Sequence, residues 1–199
     1  MNGAMIRPRR KPEPETPWKP SRAQLAQAAE RTVPDVIGPR LRVLFVGINP
    51  GVYSAAIGHH FGRPGNRFWP ALYAGGFTPH LFSPFDEVLL LGLGLGITNM
   101  VERATATADE LTRDELKAGV ESLARKVRRF RPRIVAPLGL TSFRIAFDRR
   151  RATLGRQPEL LGGALVWLLP NPSGLNAHHQ PADLKRMFAG LREFVENMD

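Results

Sequence analysis

The sequence predicts an α/β fold, a single-domain α/β/α sandwich with a mostly parallel central sheet. Three short apolar runs, at 42–47, 133–138 and 165–169, are rich in β-branched residues and are typical of buried strands. Segments with the period of amphipathic helices lie between these runs. Strands that alternate with helices form a parallel sheet covered on both faces. The length of 199 residues suits one domain with a substantial core.

The predicted helices follow in chain order at 66–75, 84–91, 113–130, 141–149 and 181–198. In the first helix Phe68 and Leu72 face inward, with Trp69 as a further candidate. The third helix begins at the capping-box spacing of Thr112 and Glu115. The third and the last helix each carry an apolar stripe, formed by Leu116, Val120, Leu123 and Val127 in the former and by Leu184, Phe188, Leu191 and Val195 in the latter.

The charge balance indicates a polyanionic partner. Lys and Arg outnumber Asp and Glu by 28 to 18, which gives a formal net charge of +10 and favours nucleic acid over a membrane surface. Residues 1–22 are rich in Pro, Arg and Lys, so we predict a disordered basic tail there and a folded domain at 23–199. A tail of this kind either only solvates the chain or adds phosphate contacts.

Several classes of protein are disfavoured by composition. The chain has no cysteine, which excludes disulfides, zinc–cysteine sites, iron–sulfur clusters and cysteine nucleophiles. The N-terminus has no apolar stretch after its charges, and the most apolar run, 88–98, is about half the length that spans a bilayer. We therefore expect a cytoplasmic protein without a membrane partner.

Two loops at the ends of predicted strands carry the strongest local signal. The first is Gly47-Ile48-Asn49-Pro50-Gly51, and the second begins Asn171-Pro172-Ser173-Gly174-Leu175. Each combines Asn-Pro with a nearby glycine, which is typical of a tight turn, and functional loops of parallel sheets lie at the carboxyl ends of strands. Either loop alone could be a turn without chemistry. A nucleotide-binding turn is disfavoured, because no G-x-G-x-x-G follows and Pro50 removes a backbone donor.

Three motifs in order, VGINPG, PGNRFW and LPNPSGLN, resemble those of the mismatch-specific uracil-DNA and thymine-DNA glycosylases, one branch of the uracil-DNA glycosylase superfamily. The resemblance runs from about residue 42 to 195 and makes 23–199 a glycosylase-like domain. It implies a monofunctional DNA-repair hydrolase that flips uracil out of mismatched duplex DNA, cleaves the N-glycosidic bond and leaves an abasic site. Thymine and modified pyrimidines are further candidate substrates. No cofactor and no metal are expected, and we predict a monomer.

The resemblance also implies roles for individual positions. Asn49 matches the catalytic asparagine that positions the attacking water, and Leu175 matches the wedge that fills the space left by the base. The base pocket is expected to comprise Gly47, Ile48, Gly51, Ser54 and Phe61, with Phe61 stacking on the flipped base. The loop inserted into DNA is expected to comprise Asn171, Pro172, Ser173, Gly174 and Leu175.

Other candidates rest on weaker signals. Asp86 is a second catalytic candidate, with surface solvation as its alternative. Arg63 and Arg67 are candidate phosphate contacts, and Arg67 has a structural ion pair as its alternative. Adjacent His59 and His60 lack the company that would make a convincing metal site.

One departure bears on specificity. Where relatives often carry a basic residue against the partner strand, this chain has Ala177, so we expect broad tolerance of the opposing base. Two hypotheses remain at this stage. The first is the glycosylase, and the second is a non-enzymatic module that recognises mismatches or abasic sites through Leu175.

Overall fold

The computed structural model describes residues 19–174 and 179–198, and a five-stranded sheet forms its centre. Its strands are β1 (Val43–Gly47), β2 (Leu95–Asn99), β3 (Ile134–Pro137), β4 (Gly155–Leu161) and β5 (Ala164–Leu168). The strand order is β2-β1-β3-β5-β4. The first four strands in this order run parallel, and β4 pairs with β5 antiparallel. The predicted mostly parallel α/β sheet is confirmed.

Six α-helices surround the sheet in the described part of the chain: α1 (Arg22–Gln27), α2 (Val52–Ile57), α3 (Phe68–Ala74), α4 (Arg113–Phe130), α5 (Leu140–Ala146) and α6 (Pro181–Glu196). The predicted helices at 66–75, 141–149 and 181–198 are confirmed as α3, α5 and α6; each ends earlier than predicted, and α5 begins one residue earlier. The helix predicted at 84–91 is a 3₁₀ helix, Pro84–Leu93. Two more 3₁₀ helices span Ala28–Glu30 and Ala108–Glu110.

The capping box of α4 forms as predicted from the sequence. The Thr112 hydroxyl accepts from the Glu115 backbone N–H at 3.1 Å, and the Glu115 carboxylate accepts from the Thr112 N–H at 2.8 Å. Of the predicted apolar stripe, Leu116, Leu123 and Val127 are buried, and Val120 is partly buried. All four predicted stripe residues of α6 are buried.

The two faces of the sheet carry separate apolar clusters, which gives the three layers of the sandwich. On β1, Phe45 packs with α3, α6 and the 3₁₀ helix Pro84–Leu93, whereas Leu44 and Val46 pack with α4 and α5. This division follows from the alternation of side chains along a strand. Because both faces are covered, the site of chemistry is left to the strand ends and the loops that follow them.

Strands β2 and β4 were missed by the sequence analysis, each for a local reason. β2 lies in a glycine-rich apolar run without alternation, and Gly96 lets the backbone of Val36 approach: a Cβ there would lie 2.6 Å from the Val36 carbonyl oxygen. β4 is an edge strand in which only Gln157 and Leu161 are buried. The signal for β4 was present in the Gly162-Gly163 pair, which has φ of 57° and 97° and joins β4 to β5, as a tight hairpin requires.

The predicted basic tail, 1–22, lies mostly outside the described residues, since these begin at residue 19; the tail remains a prediction. Ser21 caps α1 at the start of the described chain. Within 19–174 and 179–198, no helix is long and apolar enough to cross a membrane.

Candidate active site

A cavity of 310 Å³ lies at the carboxyl edge of the sheet. β1 and β2 end there side by side, with Gly47 in register with Asn99, and β3 ends beside them at Pro137. Both Asn-Pro loops line this cavity. Its walls also include Ser54, His60, Phe61, Arg63, Asn66, Leu138 and the segment from Thr105 to Asp109. The residues predicted for the base pocket therefore lie around one cavity, as do Asn171, Pro172 and Ser173 of the second loop.

The Asn49 side chain is held in one orientation at this cavity. Its Nδ2 donates to the Arg103 carbonyl oxygen at 2.8 Å and to the Thr105 hydroxyl oxygen at 2.7 Å. That hydroxyl donates to the Thr107 carbonyl at 2.7 Å, so toward Asn49 it is an acceptor. Both amide hydrogens are thus engaged, and no described residue donates to the Asn49 Oδ1. The carbonyl oxygen is the atom left to accept from a water molecule.

Backbone bonds make the Asn49 loop rigid. Val101 N–H donates to the Ile48 carbonyl, Thr105 N–H to the Pro50 carbonyl, and Val52 N–H to the Thr105 carbonyl. These bonds connect the loop after β1 to the loop after β2 on both sides of Asn49. A hydrogen-bonded frame of this kind keeps a catalytic amide in place without reorganisation during the reaction.

Phe61 and Ser54 form a wall of the cavity that begins at α2. Phe61 has φ of +52°, and its ring stacks on Phe68 with 4.1 Å between centroids. The Ser54 hydroxyl accepts from the Gly62 N–H at 3.0 Å, which ties α2 to the segment that carries Phe61. Phe61 is thereby held against the core on one face while it lines the cavity, a position suited to stacking on a planar base.

His59 and His60 share one carboxylate that the sequence analysis did not connect with them. Glu87, from the 3₁₀ helix Pro84–Leu93, contacts Nδ1 of His59 at 2.8 Å and Nδ1 of His60 at 3.0 Å. It also accepts from the His60 backbone N–H at 2.9 Å. Burial raises the pKa of Glu87, but the hydrogen bonds from the two histidines outweigh it, so its pKa lies below the ordinary value.

The second loop is anchored by Arg67. The Arg67 guanidinium donates to the carbonyl oxygens of Ser173 at 2.7 Å and His179 at 2.6 Å, and its backbone N–H donates to the Pro172 carbonyl. These bonds hold the loop on both sides of 175–178. Arg67 is also a candidate phosphate contact from the sequence; in the structure its guanidinium donates to the loop carbonyls, and the phosphate contact stays a prediction. Arg63 is exposed and lines the cavity.

The turn of the second loop depends on two further contacts. The Asn171 Oδ1 accepts from the Ser173 N–H at 2.9 Å, which is the side-chain turn that Asn-Pro-Ser favours. At Gly174 a Cβ would lie 2.4 Å from the Gly65 carbonyl oxygen, so only glycine fits. Leu175, the predicted wedge, lies outside the described residues.

Asp86 serves as a cap at the start of its 3₁₀ helix. Its carboxylate accepts from the Ser83 N–H at 2.8 Å and the Ser83 hydroxyl at 2.7 Å. It is not among the described residues that line the cavity. The catalytic role predicted for Asp86 therefore gains no geometric support from the described residues.

A sequence profile described as the Uracil DNA glycosylase superfamily matches residues 34–192. The chain belongs to this superfamily. A solution NMR structure of a candidate uracil DNA glycosylase from Methanosarcina acetivorans is similar in fold, with a TM-score of 0.52 and 18% sequence identity over 82% of this chain and 98% of that chain. Membership in the superfamily implies a DNA-repair glycosylase, a hydrolase of N-glycosidic bonds.

Several cavity residues of this glycosylase-superfamily chain were missed from sequence. Asn99 ends β2, which was not predicted, and it is only 7% exposed. Thr105 reaches Asn49 from 56 positions away, so its hydroxyl had no local signal. Asn99, at the end of β2, could have been found with the rule used for the end of β1, had the strand itself been recognised.

Arg103 connects α4 to Asn49, the candidate catalytic residue, and gives a pH-dependent prediction. Its carbonyl holds Asn49, while its guanidinium donates to Glu115 at 2.7 and 3.2 Å. The hydrogen bond from Arg103 is the main cause that lowers the pKa of Glu115 from 4.5 to about 2. A lowered pKa in the folded state means that the ionised form stabilises the fold above 4.5, and that this stabilisation is lost as the pH falls toward 2.

We expect Glu115→Gln to be less stable than the parent at neutral pH and to lose less stability on acidification, because Gln keeps no charge for Arg103. The effect is small, since both side chains are partly exposed, at 46% and 31%. Urea unfolding midpoints across this acid range measure it. Glu121→Gln, an exposed change on the same helix, is the control. Parallel pH profiles of Glu115→Gln and parent would contradict the prediction.

Proposed function

We propose that this protein is a monofunctional, mismatch-specific uracil-DNA glycosylase. It flips uracil from mismatched duplex DNA, hydrolyses the N-glycosidic bond and leaves an abasic site. The observation that carries the proposal is Asn49, whose amide hydrogens are both engaged and whose Oδ1 is left to hold a water at the cavity. The superfamily match supports it for the reaction class.

The proposed reaction begins with extrusion of the base, since its glycosidic bond cannot be attacked inside the duplex. The base stacks on Phe61 in the cavity, and the Asn49 Oδ1 accepts a hydrogen bond from the attacking water. As the bond breaks, the sugar takes on oxocarbenium character and uracil departs as an anion. Backbone N–H groups of the 47–51 loop are proposed to stabilise that charge. An amide is no general base, so we expect slow turnover.

We propose that the preference for mismatched substrates comes from the free energy needed to extrude the base from the duplex. A mispaired uracil is extruded at lower cost than a paired one, which selects G·U over A·U before any base contact is made. Leu175 is proposed to hold the stack open. Because Ala177 offers no charge to the partner strand, we propose broad tolerance of the opposing base, with thymine and modified pyrimidines as further substrates.

Charge and composition support the remaining parts of the proposal. The net charge of +10 and the exposed Arg63 at the cavity suit duplex DNA as the partner. Neither Asn-Pro loop contains a lysine, which favours hydrolysis over a Schiff-base lyase step. We propose a monomer that works in the cytoplasm.

The test is base release from duplexes carrying G·U, A·U or G·T and from single-stranded DNA carrying uracil, resolved by strand cleavage at the abasic site. We expect release from G·U to exceed release from A·U, with a measurable A·U signal as the sign of broad tolerance. Release from A·U equal to that from G·U would remove the mismatch specificity. Tight binding of mismatched duplexes without base release from any substrate would favour the alternative hypothesis, a non-enzymatic recognition module.

A further inference from the structure

The carboxylate of Glu87 is unusual because it serves two adjacent histidines and no step of the proposed reaction uses it. Glu87 is 7% exposed and reaches His59 and His60 from a segment 27 residues further along the chain. One oxygen contacts the His59 ring, and the other contacts both the ring and the backbone N–H of His60. All of its hydrogen bonds within the described part of the chain therefore end on the segment that leads into Phe61.

The contacts determine which ring nitrogen of His60 carries hydrogen. Glu87 is held ionised by a pKa below the ordinary value, and an ionised carboxylate only accepts hydrogen bonds. The Nδ1 of His60, at 3.0 Å from this oxygen, must therefore be a donor. In the neutral imidazole, a hydrogen on Nδ1 leaves Nε2 with a lone pair and makes it an acceptor.

The Nε2 of His60 is buried and has no hydrogen-bond partner among residues 19–174 and 179–198. His60 is 2% exposed, and it lines the same cavity as Asn49 and Phe61. A buried polar atom without a partner is costly, typically about 1–3 kcal/mol, and is rare in native proteins. Nε2 is therefore an acceptor without a partner in a residue that lines the cavity, and such an acceptor suits a ligand that brings a donor.

We propose that Glu87 is a positioning residue that fixes His60 so that its Nε2 accepts a hydrogen bond from the ring N–H of the extruded base. This inference rests on the proposed function and specifies the class of base. Uracil and thymine carry hydrogen on ring N3, whereas cytosine has a lone pair there. An acceptor at this wall attracts the first two and repels cytosine, which is the normal base that a uracil glycosylase must leave intact.

The first test reads the tautomer directly and needs no DNA. Long-range ¹H–¹⁵N NMR of the full chain, at slightly alkaline pH, shows which ring nitrogen is protonated, and with five histidines the His60 signals are assigned by their loss in His60→Gln. We expect hydrogen on Nδ1 in the parent and in Glu87→Asp. In Glu87→Gln we expect a shift toward hydrogen on Nε2. The side-chain NH₂ of Gln is a donor, so it stabilises the tautomer in which Nδ1 of His60 accepts the hydrogen bond. Parent His60 with hydrogen on Nε2 would overturn the inference.

The second test measures base discrimination. Duplexes carry a 2′-fluorinated deoxyuridine or deoxycytidine, whose glycosidic bonds resist cleavage, opposite an abasic-site analogue so that neither base is paired. We expect the parent to prefer the uracil analogue, and Glu87→Gln to narrow the ratio of the two dissociation constants about tenfold. Glu121→Gln, an exposed carboxylate on α4, is the matched control and keeps the parent ratio.

The two tests separate this inference from the proposed function. If Glu87 only joined two segments, Glu87→Gln would weaken the binding of both duplexes equally and leave the ratio of their dissociation constants unchanged. That result would overturn the inference even where the parent releases uracil. If the parent releases no uracil but discriminates between the analogues through His60, the proposed glycosylase activity is wrong and the positioning role of Glu87 stands. Unfolding midpoints and the Glu87→Asp variant show whether a loss in Glu87→Gln reflects folding.

Discussion

Asn49→Ala is expected to lower the single-turnover rate of uracil release by about 10²–10³-fold, the range found when one preorganised hydrogen-bonding group is removed from an active site. The substitution removes the Oδ1 that we propose for the water, and the amide that fixes it. The Arg103 carbonyl loses a donor at an exposed position where solvent can replace it, and the Thr105 hydroxyl keeps its hydrogen bond to the Thr107 carbonyl. We therefore expect the dissociation constant for uracil-containing DNA to change little. Rates measured with enzyme in excess separate the two quantities.

Asn49→Asp serves as the matched comparison for Asn49→Ala. A carboxylate at this position would place an oxygen against the Arg103 carbonyl and a Thr105 hydroxyl that already donates to Thr107. Because both neighbours are acceptors, they disfavour the ionised form of Asp, which is the form that could act as a general base. We therefore expect Asn49→Asp to be slower than the parent. Folding is checked by thermal unfolding of each variant. A fully active Asn49→Ala would show that the water is held elsewhere, and the assignment of the site would fail.

The parts of this site that local sequence could predict are the parts that lie within one turn. Gly47 to Gly51 form a loop at the end of a β-branched strand, and the Asn171 turn is formed by contacts among neighbouring residues. Parallel strands place such loops on one edge, so their meeting at one cavity follows from the fold class. The same holds for α4, whose capping box and apolar stripe were both visible.

The parts that local sequence could not predict depend on contacts between distant segments. Thr105 sets the direction of the Asn49 amide, and Glu87 sets the hydrogen on His60, across 56 and 27 positions respectively. For Arg67, too, the local sequence does not predict which distant residues its side chain contacts. A basic residue beside a motif expected to bind DNA favoured a phosphate contact, and the fold brings its guanidinium to two loop carbonyls 106 and 112 positions away. Only the tertiary structure distinguishes an arginine that contacts a ligand from one that shapes a loop.

Gly47→Ala tests whether the cavity wall requires its glycine. Gly47 ends β1 beside Asn99, and a Cβ at Gly47 would lie 2.4 Å from the Asn99 Oδ1 and 3.5 Å from the Phe61 ring. The first distance is too short for any non-bonded pair, so the Asn99 side chain must move, and it lines the cavity. Displacement of a positioning group by roughly 1 Å can lower a rate about 10²-fold, and we expect a loss of that size for uracil release.

The effect of Gly47→Ala on stability should be modest by comparison. The colliding atom is the end of a side chain rather than backbone, so we expect about 1 kcal/mol, the lower end of the cost of overpacking. Gly190→Ala is the control, because a Cβ there meets nothing within 4 Å. The double variant Gly47→Ala/Asn99→Ala isolates the cause: if the collision with Asn99 is responsible, the two losses of rate will be less than additive. Additive losses would show that the collision with Asn99 is not the cause. A Gly47→Ala variant with the parent's rate would show that this wall does not contact the base, and the cavity would then not be where uracil is bound.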